Sequence, residues 1–350
     1  MKIALIGCGR VARHYQSILD SGAAPGVDVV GVCDVNADKR GEFANHFSAF
    51  GSDALEECLA RSRPDLVVIA TPSGLHAEHT REALTLGYHV LVEKPAAMLP
   101  SEIIANDVLA REKGLMYAVA FQNRLNSAVQ LLKSAVDGNR FGQVTSLSVR
   151  LRWSREQSYY NDGWHGTWGM DGGVINQQAI HHIDVLQWLF GPVSEVSATI
   201  TKRLNSLEAE DTLVAIFKTA EGALGTVEAT TAARPRDFEA SLTVTAEGGV
   251  ARVGGIALNK VEEFSFVGSE SKDEALARAS SHDVPSGYGL SHGRVLVAIA
   301  DALASGSVNA PINAIDSLHT CELIHAMYRS DEERTWVTVG SGITSQRLGR

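Results

Sequence analysis

The chain has 350 residues, and its 31 lysines and arginines against 41 aspartates and glutamates give a formal net charge of −10. So acidic a chain makes a poor general partner for nucleic acid or an anionic membrane, because both need a positive field. No segment approaches the roughly 20 apolar residues of a membrane helix, and no signal-peptide cleavage pattern follows the start. The four cysteines are scattered without metal-ligand spacing. We therefore expect a cytoplasmic protein of about two domains with no metal site.

In the first third of the chain, short apolar strands alternate with helices. Strands are predicted at residues 2–6, 27–33, 65–70 and 89–92, and helices at 10–19 and 76–86. β-Branched runs separated by helical segments are typical of a buried parallel sheet with right-handed crossovers. The pattern predicts an α/β Rossmann domain, a doubly wound parallel sheet, over residues 1–120.

The pattern changes after residue 120. Residues 143–153 alternate, with Leu147, Val149, Leu151 and Trp153 on one face. Further strands are predicted at 193–201, 212–218, 223–231, 241–246 and 250–253, and helices at 125–136, 174–189, 291–304 and 314–328. Consecutive strands with turns between them indicate a large mixed or antiparallel open sheet. Residues 121–350 are therefore predicted to form an α+β domain, with a loop or lid at 268–291.

A GxGxxA motif lies directly between the first strand and the first helix. Gly7 allows the tight turn, and Gly9 lets the backbone approach a pyrophosphate. Arg10 and Val11 open the helix, whose N-terminal N–H groups favour an anion. Because the strand, the turn and the helix all stand where the motif needs them, the sequence predicts dinucleotide binding.

An acidic residue closes the second strand. Asp34 follows the motif at the spacing of a ribose-binding carboxylate. A carboxylate there accepts hydrogen bonds from the ribose hydroxyls and repels a 2′-phosphate. NAD is therefore favoured over NADP, and Arg40 only softens that preference.

Two segments follow the later strands of the first domain. Thr71 and Pro72 end one strand, and Glu93, Lys94 and Pro95 end the next. Parallel strands bind ligands at their carboxyl ends, so these segments are expected near one crevice. A lysine there can stabilise a developing alkoxide. The alternative is a solvated lysine on a charged loop.

A histidine-rich segment carries the other candidate chemistry. If residues 174–189 are helical, spacings of four and three place Gln177, His181 and Asp184 on one face. A histidine with a carboxylate at i+3 suits a general base, because the acid can fix its tautomer. The alternative is a core histidine that Asp184 satisfies.

Four segments, GCGRVA (7–12), ATPSGLH (70–76), VEKPAA (92–97) and GG…HHID (172–184), resemble the Gfo/Idh/MocA family of NAD(P)-dependent sugar and cyclitol oxidoreductases. The resemblance implies that Lys94 is the catalytic lysine and that His181 takes the hydroxyl proton. The position four before the histidine is usually Asp or Asn in the family and is Gln177 here. Asn176 would replace it if the helix start is shifted. The resemblance also implies a nicotinamide side lined by Thr71, Pro72, His76, Glu93, Lys94 and Gln122.

A narrower resemblance joins residues 159–173, 210–217 and 222–230 to bacterial UDP-N-acetylglucosaminuronate 3-dehydrogenases. It implies a sugar or nucleotide-sugar substrate. Taken with the broader resemblance and the aromatic loop, the candidate substrate residues are Lys94, Arg124, Trp164, Trp168, Asn176, Gln177 and His181. Tyr159, Tyr160 and the two tryptophans either stack on the sugar or pack at a subunit interface. The candidate diphosphate cations are Arg124, Arg150, Arg152 and Arg155. Arg150 and Arg152 equally suit a subunit interface. A homodimer or homotetramer is expected.

These features predict a dehydrogenase that moves hydride from a secondary hydroxyl to C4 of NAD. Two alternatives stay open from the sequence. One is a keto-sugar reductase, since both directions use the same groups. The other is a non-catalytic NAD- or ligand-sensing regulator on the same fold.

Overall fold

The computed structural model describes residues 1–268, 271–340 and 342–350. Its contacts divide the chain into two compact units. The first unit comprises Met1–Gln122 together with Ser291–Leu318, and the second comprises Asn123–Leu290 together with His319–Arg350. Residues 291–318 belong to the first unit although they are distant from it in sequence, and local sequence patterns do not record such a long-range placement.

The secondary structure follows the predicted alternation. The helices in the described ranges are α1 Arg10–Asp20, α2 Ala37–Phe47, α3 Leu55–Ser62, α4 His76–Thr85, α5 Pro100–Lys113, α6 Ser127–Asp137, α7 Gln157–Tyr160, α8 Ile180–Phe190, α9 Ser271–Ala279, α10 His292–Ala304 and α11 Leu318–Glu333. Short 3₁₀ turns span Ser73–Leu75, Gln122–Leu125 and Ala314–Ser317, and a π-helical turn spans Ile175–Ala179.

The first unit is built on six parallel strands. They are β1 Lys2–Ile6, β2 Asp28–Cys33, β3 Phe50–Ser52, β4 Leu66–Ile69, β5 His89–Val92 and β6 Tyr117–Val119, in the spatial order β3-β2-β1-β4-β5-β6. β4 is fully buried along its length, as continuous apolar strands of a parallel sheet usually are. The predicted doubly wound sheet is confirmed.

The second unit is built on an eight-stranded sheet. Its strands are β7 Val144–Arg152, β8 Val193–Thr201, β9 Thr212–Thr219, β10 Leu224–Thr230, β11 Glu239–Ala246, β12 Gly249–Gly254, β13 Lys260–Phe266 and β14 Val337–Thr338, in the order β13-β12-β11-β7-β10-β9-β8-β14. In this second sheet, β10 pairs with β7 in parallel, and the other pairs formed by its described strands are antiparallel. Leu147, Val149 and Leu151 of β7 are buried. The predicted mixed sheet is confirmed.

The segment predicted as a loop or lid contains a helix. Residues 269 and 270 of that segment lie outside the described residues, and α9 follows them. Glu274 and Arg278 form an i,i+4 ion pair at 3.5 Å, and the Arg140 guanidinium donates to buried Asp273 at 2.7 and 3.1 Å. The loop prediction is wrong for α9 because polar composition also fits a helix supported by charge pairs.

Candidate active site

The predicted cofactor residues follow the strand order of the first sheet. Asp34 comes after β2, Gly7 after β1, Thr71 after β4, Lys94 after β5 and Gln122 after β6. Neighbouring strands are about 4.8 Å apart, so Asp34 and Lys94 are separated by three spacings, or roughly 14 Å. The residues therefore form a row along one carboxyl edge, the place where open α/β sheets bind dinucleotides.

The glycine turn leaves room for a phosphate. Gly7 has a φ of +94°, and a Cβ there would stand 2.6 Å from the Ala70 carbonyl oxygen, so only glycine fits. Apart from Gly9 itself and its neighbours in the chain, no heavy atom of the described residues lies within 4 Å of the point where a Cβ on Gly9 would stand. α1 begins at Arg10, and its N-cap residue is Gly9, which has no side chain to cap the helix. Open space before a helix N-terminus fits the pyrophosphate of NAD.

Asp34 is fixed by the turn that it serves. Its Oδ2 accepts a hydrogen bond from the Cys8 N–H at 2.7 Å, and its Oδ1 accepts one from Asn36 at 2.8 Å. The Arg40 guanidinium donates to the Asp34 backbone carbonyl at 2.6 Å. The carboxylate is thus held in one orientation by two backbone N–H groups, and its contact with a ribose stays a prediction.

The opposite end of the row carries an unsatisfied acceptor. Gln122 is buried, and its Oε1 has no hydrogen-bond partner among the described residues. An orphaned buried oxygen needs a donor, and a nicotinamide carboxamide would supply one. The residues of this edge therefore fit NAD at both ends.

Glu93, beside Lys94, lies in a buried polar cluster. Its Oε1 accepts a hydrogen bond from the Tyr15 hydroxyl at 2.9 Å and lies 3.6 Å from His292 Nε2. His292 Nδ1 lies 3.2 Å from His14 Nε2. Burial raises the pKa of Glu93, against the effect of the Lys94 charge, and burial lowers the pKa of His292 well below its ordinary value. A neutral histidine and a tyrosine hydroxyl therefore set the position of the carboxyl group next to Lys94.

His76 braces the turn after Lys94. Its Nδ1 lies 2.7 Å from the Pro95 carbonyl oxygen, and its Nε2 lies 2.8 Å from the Thr71 carbonyl oxygen. The ring is buried, and burial lowers its pKa to about 4, so a neutral ring donates to one of the two carbonyls. His76 joins the ends of β4 and β5, and its contact with nicotinamide stays a prediction.

In the second unit, the helix that carries His181 is irregular at its start. The helix predicted over 174–189 is helical in the structure, but Ile175–Ala179 form a π turn before α8 begins at Ile180, so the four-residue spacing expected of an α-helix does not hold there. A π turn bonds i to i+5, so residues 177 and 181 do not stack as they would in an α-helix. Because a π turn contains one more residue than an α-helical turn, the residue one turn before His181 is Asn176, five positions earlier, rather than Gln177.

Asp171 organises the residues ahead of this helix. The Asn176 side-chain amide donates to the Asp171 carbonyl at 2.7 Å, and the Gln177 amide donates to the Asp171 carboxylate. The same carboxylate accepts the Gly166 N–H at 2.8 Å. Asn176 is buried and Gln177 is half-buried. Their amide nitrogens are thus used to hold the loop, and their contact with substrate stays a prediction.

Asp184 is bound by Arg124. Arg124 Nε and Nη2 donate to the two carboxylate oxygens at 2.8 and 2.7 Å, and the Thr320 hydroxyl donates to Oδ1 at 3.3 Å. Sequence spacing had linked Asp184 to His181, because an i,i+3 relation is visible in a sequence and a contact across 60 residues is not. The catalytic role of Asp184 and the substrate role of Arg124 stay predictions.

The aromatic residues predicted to meet a sugar fall into two groups. Three of them cluster around His165: Tyr159, Tyr160 and Trp164. The Trp164 and His165 ring centroids are 3.6 Å apart, and His165 Nδ1 lies 2.6 Å from an Asp162 carboxylate oxygen. Trp168 instead packs edge-on to Tyr328 at 5.2 Å. The four predicted aromatic residues therefore do not form one row: three belong to a buried or half-buried cluster, and Trp168 packs elsewhere in the unit.

The other candidate diphosphate cations are paired with acids of the same unit. The pairs are Arg150 with Glu228 at 3.9 Å, Arg152 with Glu228 at 2.7 Å and Glu239 at 3.1 Å, and Arg155 with Asp237 at 3.0 Å. A role in binding a diphosphate would need these pairs to rearrange. That role stays a prediction.

The described residues contain no group of three or more His, Cys, Asp or Glu side chains placed to hold a metal ion. Within the described ranges, none of the helices combines the length and apolarity that a bilayer crossing needs. The cytoplasmic location and the homo-oligomeric state stay predictions.

The fold and the sheet edge define a class of protein, a Rossmann-type NAD-binding unit joined to a mixed-sheet α+β unit. Residues 1–121 match the GFO/IDH/MocA oxidoreductase family with an NAD-binding Rossmann fold, and residues 129–252 match the GFO/IDH/MocA C-terminal domain. The chain belongs to this family. The predicted family and the predicted cofactor, NAD, are confirmed at that level.

Two solved structures resemble the chain over nearly its whole length. The WlbA dehydrogenase from Bordetella pertussis, in complex with NADH and UDP-GlcNAcA, is 32% identical, with 97% of each chain covered and a TM-score of 0.90. The WlbA dehydrogenase from Chromobacterium violaceum, with the same two ligands, is 31% identical, with 97% of this chain and 96% of that chain covered and a TM-score of 0.89.

Curated relatives match over shorter stretches. Glucose-6-phosphate 3-dehydrogenase from Bacillus subtilis is 28% identical over 195 residues, which cover 54% of this chain and 53% of the relative. The chain spans about half the length of the curated relatives that it matches.

Proposed function

We propose that this chain is an NAD-dependent dehydrogenase that oxidises a secondary hydroxyl of a nucleotide-linked sugar, with a UDP-linked uronic acid as the favoured substrate class. The observation that carries the proposal is the place of Lys94, at the carboxyl end of β5 on the same sheet edge as the Gly7 turn. The substrate class is supported by the two WlbA structures, which hold UDP-GlcNAcA.

The proposed chemistry uses bound NAD and two side chains of this chain. Bound NAD supplies the hydride acceptor, C4 of the nicotinamide. His181, in the second unit, accepts the hydroxyl proton as general base. Lys94, in the first unit, stabilises the negative charge that develops on the substrate oxygen. Hydride leaves the carbon and the proton leaves the oxygen, so the products are a keto-sugar, NADH and a proton.

The surroundings of Glu93, the residue before Lys94 in the chain, support the part of Lys94. Burial keeps water away from Glu93, Tyr15 and His292, and the electrostatic interaction of Lys94 with the carboxyl is strengthened there. His76 holds the segment that follows Lys94 through the Pro95 carbonyl. The ammonium is therefore presented by a rigid support, as stabilisation of a transition state requires.

The first experiment is a turnover assay with a small substrate panel. The chain is incubated with NAD and UDP-GlcNAcA, UDP-GlcNAc, UDP-glucose or glucose 6-phosphate, and formation of NADH is followed by absorbance. We expect the largest kcat/KM with UDP-GlcNAcA. The reverse assay, with NADH and the keto-sugar, measures the reductase direction. NAD binding without turnover in either direction would reject the proposal and favour a ligand sensor.

The second experiment removes the lysine. Lys94→Ala should lower kcat by about 10²–10³, the usual cost of losing one oxyanion-stabilising group, while NAD still binds. Lys113→Ala is the matched control, because Lys113 lies at the end of α5 and donates to the Thr85 carbonyl. Equal turnover by the two variants would contradict the role of Lys94.

A further inference from the structure

Glu210 lies beneath the start of the helix that carries His181. Its Oε1 accepts hydrogen bonds from the Ile175 N–H and the Tyr328 hydroxyl, both at 3.0 Å. Its backbone carbonyl accepts the Val174 N–H at 3.0 Å, and the Tyr328 hydroxyl oxygen accepts the Gly173 N–H at 3.2 Å. Three consecutive N–H groups at the helix start, which have no partner within a helix, thus end on Glu210 and Tyr328.

The second carboxyl oxygen of Glu210 is in a different position. The side chain is 0% exposed, and Oε2 has no hydrogen-bond partner among the described residues. A Cβ on Gly173 would stand 2.2 Å from Oε2, so the backbone closes over it. A buried charged oxygen without a donor costs far more than a neutral one. The geometry of this site therefore suits a protonated carboxylic acid.

The surroundings of Glu210 act in the same direction. Burial raises the pKa of Glu210 to about 8, with the Ile175 N–H and the Tyr328 hydroxyl opposing and the charge of Asp171 adding to the rise. Tyr328 faces it from α11 and Asp171 from the loop before the helix. Asp211, next in the chain, has its own donors in the backbone N–H groups of residues 203–205. The groups that shift the pKa of Glu210 therefore include no cation that would favour its ionised form.

We propose that Glu210, in its protonated form, is a positioning residue that fixes the start of the helix carrying His181. This inference rests on the proposed dehydrogenase function. Ionisation would place a second negative charge near Asp171 and leave Oε2 without a donor, so the helix start would loosen. Asn176 follows the bonded Ile175 directly, and His181 lies six residues after Ile175. Glu210 would thereby set the alkaline limit of a reaction that releases a proton.

The test replaces the acid by its neutral counterpart. Glu210→Gln keeps the shape and the acceptor oxygen but cannot ionise. In the pH profile of kcat/KM for NAD and UDP-GlcNAcA, the wild type should lose activity above about pH 8, and Glu210→Gln should keep it to higher pH. Glu262→Gln, an acid on β13 that pairs with Arg252 at 2.8 Å, is the control and should follow the wild type.

A second variant tests the same limit from the other side. The Tyr328 hydroxyl bond lowers the pKa of Glu210, so Tyr328→Phe should move the loss of activity to higher pH. Coincident profiles for the wild type and both variants would overturn the proposal.

A measurement without turnover separates this inference from the proposed function. The native state holds the Glu210 proton to about pH 8, whereas the unfolded state releases it near the ordinary value of 4.5. The melting temperature of the wild type should therefore fall relative to that of Glu210→Gln as the pH rises from about 4.5 to about 8. If no substrate turns over but this gap widens, Glu210 acts as proposed and the dehydrogenase proposal fails. A constant gap would overturn the role of Glu210 whatever the activity.

Discussion

Arg124 and Asp184 form a two-point ion pair across 60 residues of the chain, with side chains only 6% and 1% exposed. The pair joins the turn at the start of the second unit to the helix α8 that carries His181. The Arg124 guanidinium also lies over the Trp188 ring, 5.5 Å from its centroid. A pair buried this deeply adds little net stability, because desolvation offsets the attraction. Removal of one partner is strongly destabilising, because it leaves the other charge buried without compensation.

The first prediction concerns the loss of either partner. Asp184→Asn and Arg124→Met should each lower the free energy of unfolding by about 3–5 kcal/mol, because the remaining charge would be buried without compensation. The double variant Arg124→Met/Asp184→Leu should recover part of that loss. Urea unfolding measures all three free energies.

An exposed pair provides the comparison. Arg61 and Glu57, 4.0 Å apart on α3, are more than half exposed, so Arg61→Met should cost only about 0–1 kcal/mol. If Asp184→Asn were as mild, the buried pair would not hold α8 in place. A kinetic defect in that stable variant would then favour a direct role of Asp184 at His181.

The second prediction concerns cofactor choice. Asp34→Ser should lower the ratio of kcat/KM for NAD over NADP by at least about tenfold, because the variant removes the charge that repels a 2′-phosphate. The short side chain also loses the bonds to the Cys8 and Asn36 N–H groups. Asp34→Asn keeps an acceptor oxygen, so its ratio of kcat/KM for NAD over NADP should lie between those of the wild type and Asp34→Ser.

Its control separates charge removal in general from removal at the ribose site. Asp38→Ser removes a carboxylate from the first turn of α2, four residues along the chain, and should leave the cofactor ratio near that of the wild type. A ratio that is unchanged in Asp34→Ser would show that Asp34 does not select the cofactor.

Local signals in the sequence predicted the sheets well. β5 and β8 have the predicted bounds, because each is an apolar or alternating run between turn residues. The cofactor edge was also predictable, since a glycine motif between a strand and a helix is a local pattern. Once the strands are parallel, their carboxyl ends must meet along one edge.

Contacts between distant segments were not predictable. His292 reaches Glu93 because residues 291–318 return to the first unit, and no spacing in the sequence records that return. The π turn before α8 was not predictable from the sequence for a related reason. The Ile175 N–H bonds to Glu210 rather than to a helical carbonyl, so a tertiary contact decides the local geometry there.

The third prediction concerns the carboxyl group beside Lys94. Burial raises the pKa of Glu93 above its ordinary 4.5, and the Tyr15 hydroxyl bond opposes that rise. Stability linked to Glu93 is therefore full below about pH 4.5 and is lost as the pH rises through the raised pKa. Tyr15→Phe removes a donor to the charged form, so its cost should grow with pH, to about 1–3 kcal/mol once Glu93 is ionised.

Tyr88→Phe is the matched control for this prediction. The Tyr88 hydroxyl donates to the Leu59 carbonyl at 3.0 Å in the same unit, and a carbonyl does not titrate. Its removal should cost about 1 kcal/mol at every pH. Unfolding free energies measured across the pH range compare the two variants, and parallel curves would mean that Tyr15 does not stabilise the ionised carboxyl.

The last prediction concerns the glycine packed against Glu210. A Cβ at Gly173 would stand 2.2 Å from both the Glu210 carbonyl oxygen and its Oε2. The carbonyl cannot move away easily, because it accepts the Val174 N–H at 3.0 Å. Gly173→Ala should therefore lower the free energy of unfolding by about 1–3 kcal/mol or more, as overpacking does, and thermal or urea unfolding measures the loss.

A second glycine of the same loop gives the control. At Gly169 the nearest atom to an added Cβ is the Arg350 carbonyl oxygen at 3.4 Å, an ordinary contact, so Gly169→Ala should be close to neutral. Gly173→Ala should also lower the activity beyond its effect on stability, since displacing Glu210 moves the start of the helix that carries His181. If the two alanine variants were equally stable, Glu210 could not lie as close beneath that helix as the contacts with Val174 and Ile175 place it.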